Sequence, residues 1–268
     1  MPKSSEELYK DLVDFSKDGL KLFTNNVSTY PTQFSFSKLN ENCDIKMHLK
    51  GQEEVKPRKQ FFKDIPELEQ ECPRCWKYYL NPRNKSVSIL DIQLGKKFQK
   101  ALMAFLNSKQ PNNIICEPAD VSDKKFPDLK LTKDGNAVLY IELKYQSAPL
   151  ILAYRQPGKY RECYEGSAAL DVKKLKQQWE LKQSGKLDAK MVYVYWLDFP
   201  CIKGLFFMTL EEMWTFFNNE ALVFKRKIRE GDYSKEGKVV SEINKIHPSL
   251  YQMHSFIELF ELMGKNNV

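Results

Sequence analysis

Apolar positions recur at helical intervals near both ends of the chain and in three interior stretches, and the segments between them alternate or run together as strands do. Leu8, Leu12, Phe15 and Phe23 follow Ser4 and Glu7, a pair with the spacing of a capping box, so a helix is predicted from Ser4 to about residue 24. From Asp91 onward, Leu94, Phe98, Ala101, Leu102, Phe105 and Leu106 line one face of a second helix ending near Asn107. Strands are predicted over 113–117, 126–132 and 137–144, the last two forming a hairpin about Asp134-Gly135-Asn136. A helix over 168–182 follows, with Val172, Leu175 and Trp179 inward and Lys173, Lys174 and Lys176 outward. Two more strands are predicted over 191–197 and 202–208. Thr209 with Glu212 then opens a helix through Met213, Trp214 and Phe217. Residues 220–246 read as a charged connection, and Leu250, Met253, Ile257 and Phe260 mark a last helix.

The order helix, strand, hairpin, helix, strand, strand predicts an α/β fold, a central mixed β-sheet flanked by helices. Residues 25–89 break this regularity, because Asn, Ser, Pro and Lys interrupt any apolar period. The chain therefore divides into an N-terminal helix with an irregular arm or subdomain, 1–89, and a main domain closed by the C-terminal helix, 90–268.

Composition narrows the class. With 42% hydrophobic, 13% aromatic and 29% charged residues, the 268-residue chain lacks the low hydrophobicity of a disordered one. No run approaches the roughly 18 apolar residues of a membrane span, and the N-terminus has no apolar signal core, so a soluble cytoplasmic protein is expected. Six cysteines are too sparse for a disulfide scaffold in a chain this long. The formal charge of +7 favours a polyanionic partner, since each Lys or Arg on a phosphate releases condensed counterions.

The chemistry concentrates on the hairpin. Glu142 and Lys144 are two residues apart on one strand and share a face, and Asp128 lies on the neighbouring strand. Two carboxylates converging on one point require a cation, and hard oxygen donors with open positions suit Mg²⁺, to which the Leu143 carbonyl would add a further ligand. Such an ion polarises a phosphate and acidifies bound water, while the adjacent Lys144 stabilises developing charge, which is the equipment of phosphodiester hydrolysis. Gln146 would continue the row and Glu117, on the preceding strand, is a candidate for an additional acid. Convergence carries a geometric condition. A two-residue loop at Asp134-Gly135 would set position 128 opposite 141 and turn Asp128 away from Glu142. A three-residue loop, Asp134-Gly135-Asn136, or an equivalent bulge is therefore predicted.

Phe126-Pro127-Asp128, followed after thirteen residues by Glu142-Leu143-Lys144, resembles the PD-(D/E)xK nuclease superfamily, and most of all its type II restriction endonucleases. The likeness spans roughly residues 91–217. It implies a restriction-endonuclease-like core, Mg²⁺-dependent cleavage of double-stranded DNA at a short specific sequence, catalysis by Asp128, Glu142 and Lys144, and a homodimer. Members often carry a Gly-x-x-Phe-Glu-like helix before the first strand, and Gly95-Lys96-Lys97-Phe98-Gln99 is similar to it. Gln99 stands where the acid would be. An amide lacks a carboxylate's charge, so a single ion is expected, with Gln99 at most hydrogen-bonded to water. The alternatives are a structure-selective repair, recombination or phage nuclease, and a non-catalytic DNA-binding module on the same fold.

Two constellations lie outside this core. Cys72-x-x-Cys75 has the spacing of half a zinc knuckle, and Cys43 with His48 would complete a tetrahedral Zn²⁺ site fixing the arm; the other reading is a pair of reduced cysteines in a turn. Arg155, Lys159 and Arg161, interleaved with Tyr154 and Tyr160, read as a DNA-contacting loop or as an exposed basic loop. His247 and His254 are expected in packing or surface roles. Neither a His-metal site nor a Ser-His-Asp hydrolase can be assembled from three histidines placed as these are, and no nucleotide-binding glycine pattern occurs.

Overall fold

The computed structural model describes residues 3–20, 88–109, 113–120, 122–146, 168–198, 203–219, 223–225, 228, 233, 237–239, 244–248 and 252–264. Cys43, His48, Cys72 and Cys75 lie outside the described residues, as do Arg155, Lys159 and Arg161.

In chain order the elements are α1 (Ser5–Leu20), α2 (Ser88–Lys109), β1 (Ile114–Pro118), β2 (Leu129–Lys133), β3 (Asn136–Gln146), β4 (Leu170–Asp171), α3 (Val172–Gln183), β5 (Lys190–Asp198), β6 (Lys203–Thr209), α4 (Leu210–Asn219), β7 (Phe224–Lys225), β8 (Asn244–Ile246), β9 (His254–Ser255) and α5 (Phe256–Leu262). The main sheet runs β1-β2-β3-β5-β6-β9. It is mixed: β3 and β5 are parallel and the other neighbours antiparallel. Parallel neighbours need a crossover connection, and α3 lies within the one between them.

Local chemistry sets the helix starts. Ser4 N–H donates to Glu7 and the Glu7 N–H to Ser4 Oγ, the reciprocal bonds of a capping box. Thr209 and Glu212 repeat the device at α4. A third box, Ser255 with Glu258, opens α5. The closing helix thus begins later than the apolar spacing from Leu250 predicts, and β9 precedes it. The segment 220–246, expected as a charged connection, contributes β7 and β8, which join β4 in a small sheet of order β4-β8-β7.

Helices cover both faces of the main sheet. On one face α1, α2 and α5 enclose Leu12, Phe98, Leu102, Phe105, Leu131, Ile141, Val194, Trp196 and Phe260. On the other, α3 and α4 enclose Leu175, Met191, Tyr193, Tyr195, Leu197, Met208 and Met213. Phe98 stacks on Tyr145 with ring centroids 3.6 Å apart and meets Trp196 edge-on at 4.7 Å. Burying a side chain of this size contributes about 1.5–3 kcal/mol. The contact pins α2 to the back of β3, behind the strand that carries Glu142 and Lys144.

The hairpin departs from the expected loop. Lys133 pairs with Asn136, so the loop is the two residues Asp134 and Gly135. Both have positive φ, 51° and 83°, as a primed hairpin turn requires. A bulge then shifts the register: Thr132 pairs with Ala137 but Leu131 with Leu139, leaving Val138 as the extra residue. Beyond it Lys130 faces Tyr140 and Leu129 faces Ile141. Carried one step further, that register sets position 128 opposite 142. The three-residue loop is thus replaced by its equivalent, a tight turn plus a bulge.

Candidate active site

Asp128 sits just before β2, where the β1–β2 ladder is continued by the Ala119 N–H donating to the Asp128 carbonyl at 3.2 Å. The Leu143 N–H donates to Asp128 Oδ2 at 2.9 Å, fastening the carboxylate to β3 beside Glu142. A residue's N–H and C=O leave a strand on the same edge, so the Leu143 carbonyl also faces the Asp128 side. The motif residues are therefore brought together.

Glu142 is only 3% exposed. A lone carboxylate so placed would take up a proton, because burial strongly disfavours its charge. Here partners surround it. Lys144 Nζ lies 2.6 Å from Oε1 and Lys174 Nζ 3.3 Å from Oε2, while Gln178 Nε2 donates to Oε2 at 2.8 Å. Gln178 is itself fully buried, and its Oε1 accepts from the Tyr193 hydroxyl at 2.7 Å. Burial pushes the Glu142 pKa up, but the Lys144 and Lys174 charges and these hydrogen bonds outweigh it and hold the carboxyl below its usual range.

Asp128 responds differently. Burial first, then the Glu142 charge, pushes its carboxyl up to about 6, against the pull of Lys144, the Leu143 N–H and Lys174. Lys144 is lowered by burial but raised more by Glu142, and stays firmly protonated. Lys245, on β8, pairs with Asp171 at the start of α3, and burial together with the Lys144 charge brings it down to about 8. The site thus has a cationic rim about two carboxylates that still repel each other.

Among the described residues no three His, Cys, Asp or Glu side chains gather to hold a metal. The donor set is two carboxylates and a backbone carbonyl. All are hard oxygens, and a divalent cation would offset both influences that raise the Asp128 pKa, burial first and the Glu142 charge second. These residues fit Mg²⁺, which keeps several of its positions for water or substrate.

The auxiliary candidates stand on three different elements, β1, β3 and α2. Glu117 shares the site's sheet face but pairs with Lys130, 3.3 Å away, further along β1. Gln146 ends β3, opposite Leu197, in the same alternation as Glu142 and Lys144. Gln99 rides on α2, whose buried side faces the opposite sheet surface, and among the described residues it has no hydrogen bond to Asp128, Glu142 or Lys144.

Two site residues escape the sequence pattern. Lys174 is expected outward, yet its ammonium reaches Glu142 and also donates to the carbonyls of Lys124 at 2.8 Å and Phe126 at 2.9 Å. A lysine on an amphipathic helix reads as solvent-facing unless the charge beneath it is known. Gln178 left a signal, a polar residue one turn after inward Leu175 and one turn after Lys174.

No family model and no curated protein matches the chain. Among solved structures it is similar to Hjc, a Holliday junction resolvase from Archaeoglobus fulgidus, at 11% identity over 62% of this chain and 93% of that one, with a TM-score of 0.33, a likeness too slight to bear on function.

Proposed function

We propose that the chain is a Mg²⁺-dependent endonuclease of the PD-(D/E)xK type that hydrolyses phosphodiester bonds of double-stranded DNA. The observation that carries this is the bulged hairpin, which sets Asp128 opposite Glu142 with Leu143 bonded to one carboxylate and Lys144 to the other. Asp128, Glu142 and the Leu143 carbonyl would hold the cation. When bound, it supplies polarisation of the scissile phosphate and acidification of water. Lys144, kept protonated by Glu142, cannot serve as a free base; its ammonium is suited to stabilising charge that develops on the phosphate. The overall charge of +7 is consistent with a polyanionic substrate.

The motif's resemblance to type II restriction endonucleases favours cutting at a short specific sequence, with Arg155, Lys159 and Arg161 reading the DNA and two copies pairing to cut both strands. The arm would be fixed by Zn²⁺ on Cys43, His48, Cys72 and Cys75.

The test is incubation with Mg²⁺ and a long DNA of known sequence. Discrete fragments are expected. A smear or junction-dependent cutting would instead indicate a structure-selective nuclease, and binding without cleavage a non-catalytic module. Asp128→Ala and Glu142→Ala should each lower single-turnover cleavage by about 100-fold or more while DNA binding stays measurable. Full activity in either variant would remove the site assignment.

A further inference from the structure

Lys174 makes contacts that charge balance alone does not require. Its Nζ donates to the Lys124 carbonyl at 2.8 Å and the Phe126 carbonyl at 2.9 Å, and lies 3.3 Å from Glu142 Oε2. An ammonium has three hydrogens, and three acceptors surround this one. The first two belong to the segment leading into Asp128; the third is the carboxylate across the hairpin. Phe126 is joined to Asp128 through Pro127, which is buried and whose ring fixes φ, so a tether on the Phe126 carbonyl limits where Asp128 can stand. The Ala119 N–H holds the Asp128 carbonyl and the Leu143 N–H its carboxylate, and the Lys174 tether adds a restraint on the segment that enters Asp128.

We propose that Lys174 is a positioning residue of the cation site: from α3 it ties the carbonyls ahead of Asp128 to Glu142 and so sets the separation of the two carboxylates. This rests on the nuclease reading above, in which those carboxylates share a divalent cation. The opposing view is that Lys174 only neutralises Glu142 until a cation arrives. The two views predict opposite signs. Removing a positive charge 3.3 Å from a ligand oxygen should tighten cation binding if charge alone matters. It should weaken binding if the lysine holds the ligands in place, since outer partners of metal ligands are worth about 10–100-fold in affinity.

The experiment titrates the full-length protein with Mn²⁺ alone, followed by electron paramagnetic resonance, for wild type, Asp128→Ala, Lys174→Met and Lys174→Arg. Circular dichroism and melting confirm the fold of each. The expected result is one Mn²⁺ in the wild type, lost in Asp128→Ala, bound at least tenfold more weakly by Lys174→Met, and bound with intermediate affinity by Lys174→Arg. Equal or tighter binding by Lys174→Met overturns the positioning role while leaving the nuclease reading intact. Absence of any Asp128-dependent Mn²⁺ in the wild type overturns the site itself, and the proposal with it. Should Lys174→Met fail to fold, Lys174→Arg decides: guanidinium keeps the charge but cannot place one nitrogen among the same three acceptors, and unchanged Mn²⁺ affinity would refute the proposal.

Discussion

Gln178 joins Glu142 to Tyr193, donating from Nε2 to the carboxylate at 2.8 Å and accepting the phenol hydrogen on Oε1 at 2.7 Å. All three are buried, and the amide is the one group that serves both a donor and an acceptor there. Gln178→Leu keeps the volume but leaves the Tyr193 hydroxyl and Glu142 Oε2 each a bond short. Stability in urea should fall by about 2 kcal/mol, the cost of stranding buried polar groups. A loss within a few tenths of a kcal/mol would show that the phenol and carboxylate find other partners.

Asp128 is held against its own charge. Because burial and Glu142 raise its pKa to about 6, its contribution to stability is fully present below the unfolded carboxyl's pKa and is lost as pH rises through about 6. Asp128→Asn keeps an oxygen for the Leu143 N–H while removing that charge. In metal-free buffer this variant should melt above the wild type at pH 8, with the difference shrinking toward pH 5. A difference independent of pH would place the Asp128 pKa near its ordinary value.

His254 links two helix starts. Its Nε2 lies 2.7 Å from Glu212 and its Nδ1 3.2 Å from Glu258, the acidic members of the boxes that open α4 and α5. Burial lowers the imidazole pKa, but the two carboxylates raise it further. Its contribution is therefore complete below about pH 6.5 and lost as pH rises through the elevated pKa. Glu212 and Glu258 are held below their usual range, burial being outweighed by the His254, Thr209 and Ser255 hydrogen bonds, so their contribution is lost on acidification below about pH 4.5. His254→Gln should lower the melting temperature more at pH 5.5 than at pH 8.5. Since these side chains are a third or more exposed, added salt should reduce the effect. Equal losses at both pH values would assign His254 a packing role alone, through its stack on Phe207 at 4.9 Å.

Val138 is the extra residue of the hairpin. Deleting it joins Ala137 to Leu139, so that Thr132 still pairs with Ala137 and Leu131 with Leu139, now in a regular ladder. Asp128 keeps its place opposite Glu142. Cleavage by the deletion variant is expected within about tenfold of wild type, since a shift near 1 Å at a site costs on the order of 100-fold. Complete loss of cleavage in a folded variant would mean that the bulge's twist, beyond its register, shapes the site.

The sequence made some of this legible and hid the rest, for physical reasons. The capping boxes at Ser4 and Thr209 were readable because their chemistry is local, three residues apart. Glu142 and Lys144 were readable because alternation follows from strand geometry alone. Lys174 was not, since its direction depends on a carboxylate thirty-two positions away that only the folded chain puts beneath it. The strands β4, β7 and β8 have two or three residues each, too few to carry a period. Parity required either an odd loop or a bulge. Choosing between them needed the backbone, because Asp-Gly satisfies a two-residue turn and Val138 bears no mark of being unpaired.

That extra residue also bears on how such sites are counted along a chain. In a regular hairpin with a two-residue loop, facing residues always differ by an odd number, yet Asp128 and Glu142 differ by fourteen. The spacing between motif halves is therefore a sum of strand length, loop length and stored slack. Two chains whose intervals differ by one residue can build the same pair of facing carboxylates, and two with identical intervals can set them back to back. Arithmetic on the interval, taken modulo two, is informative only after the loop and any unpaired residue have been located.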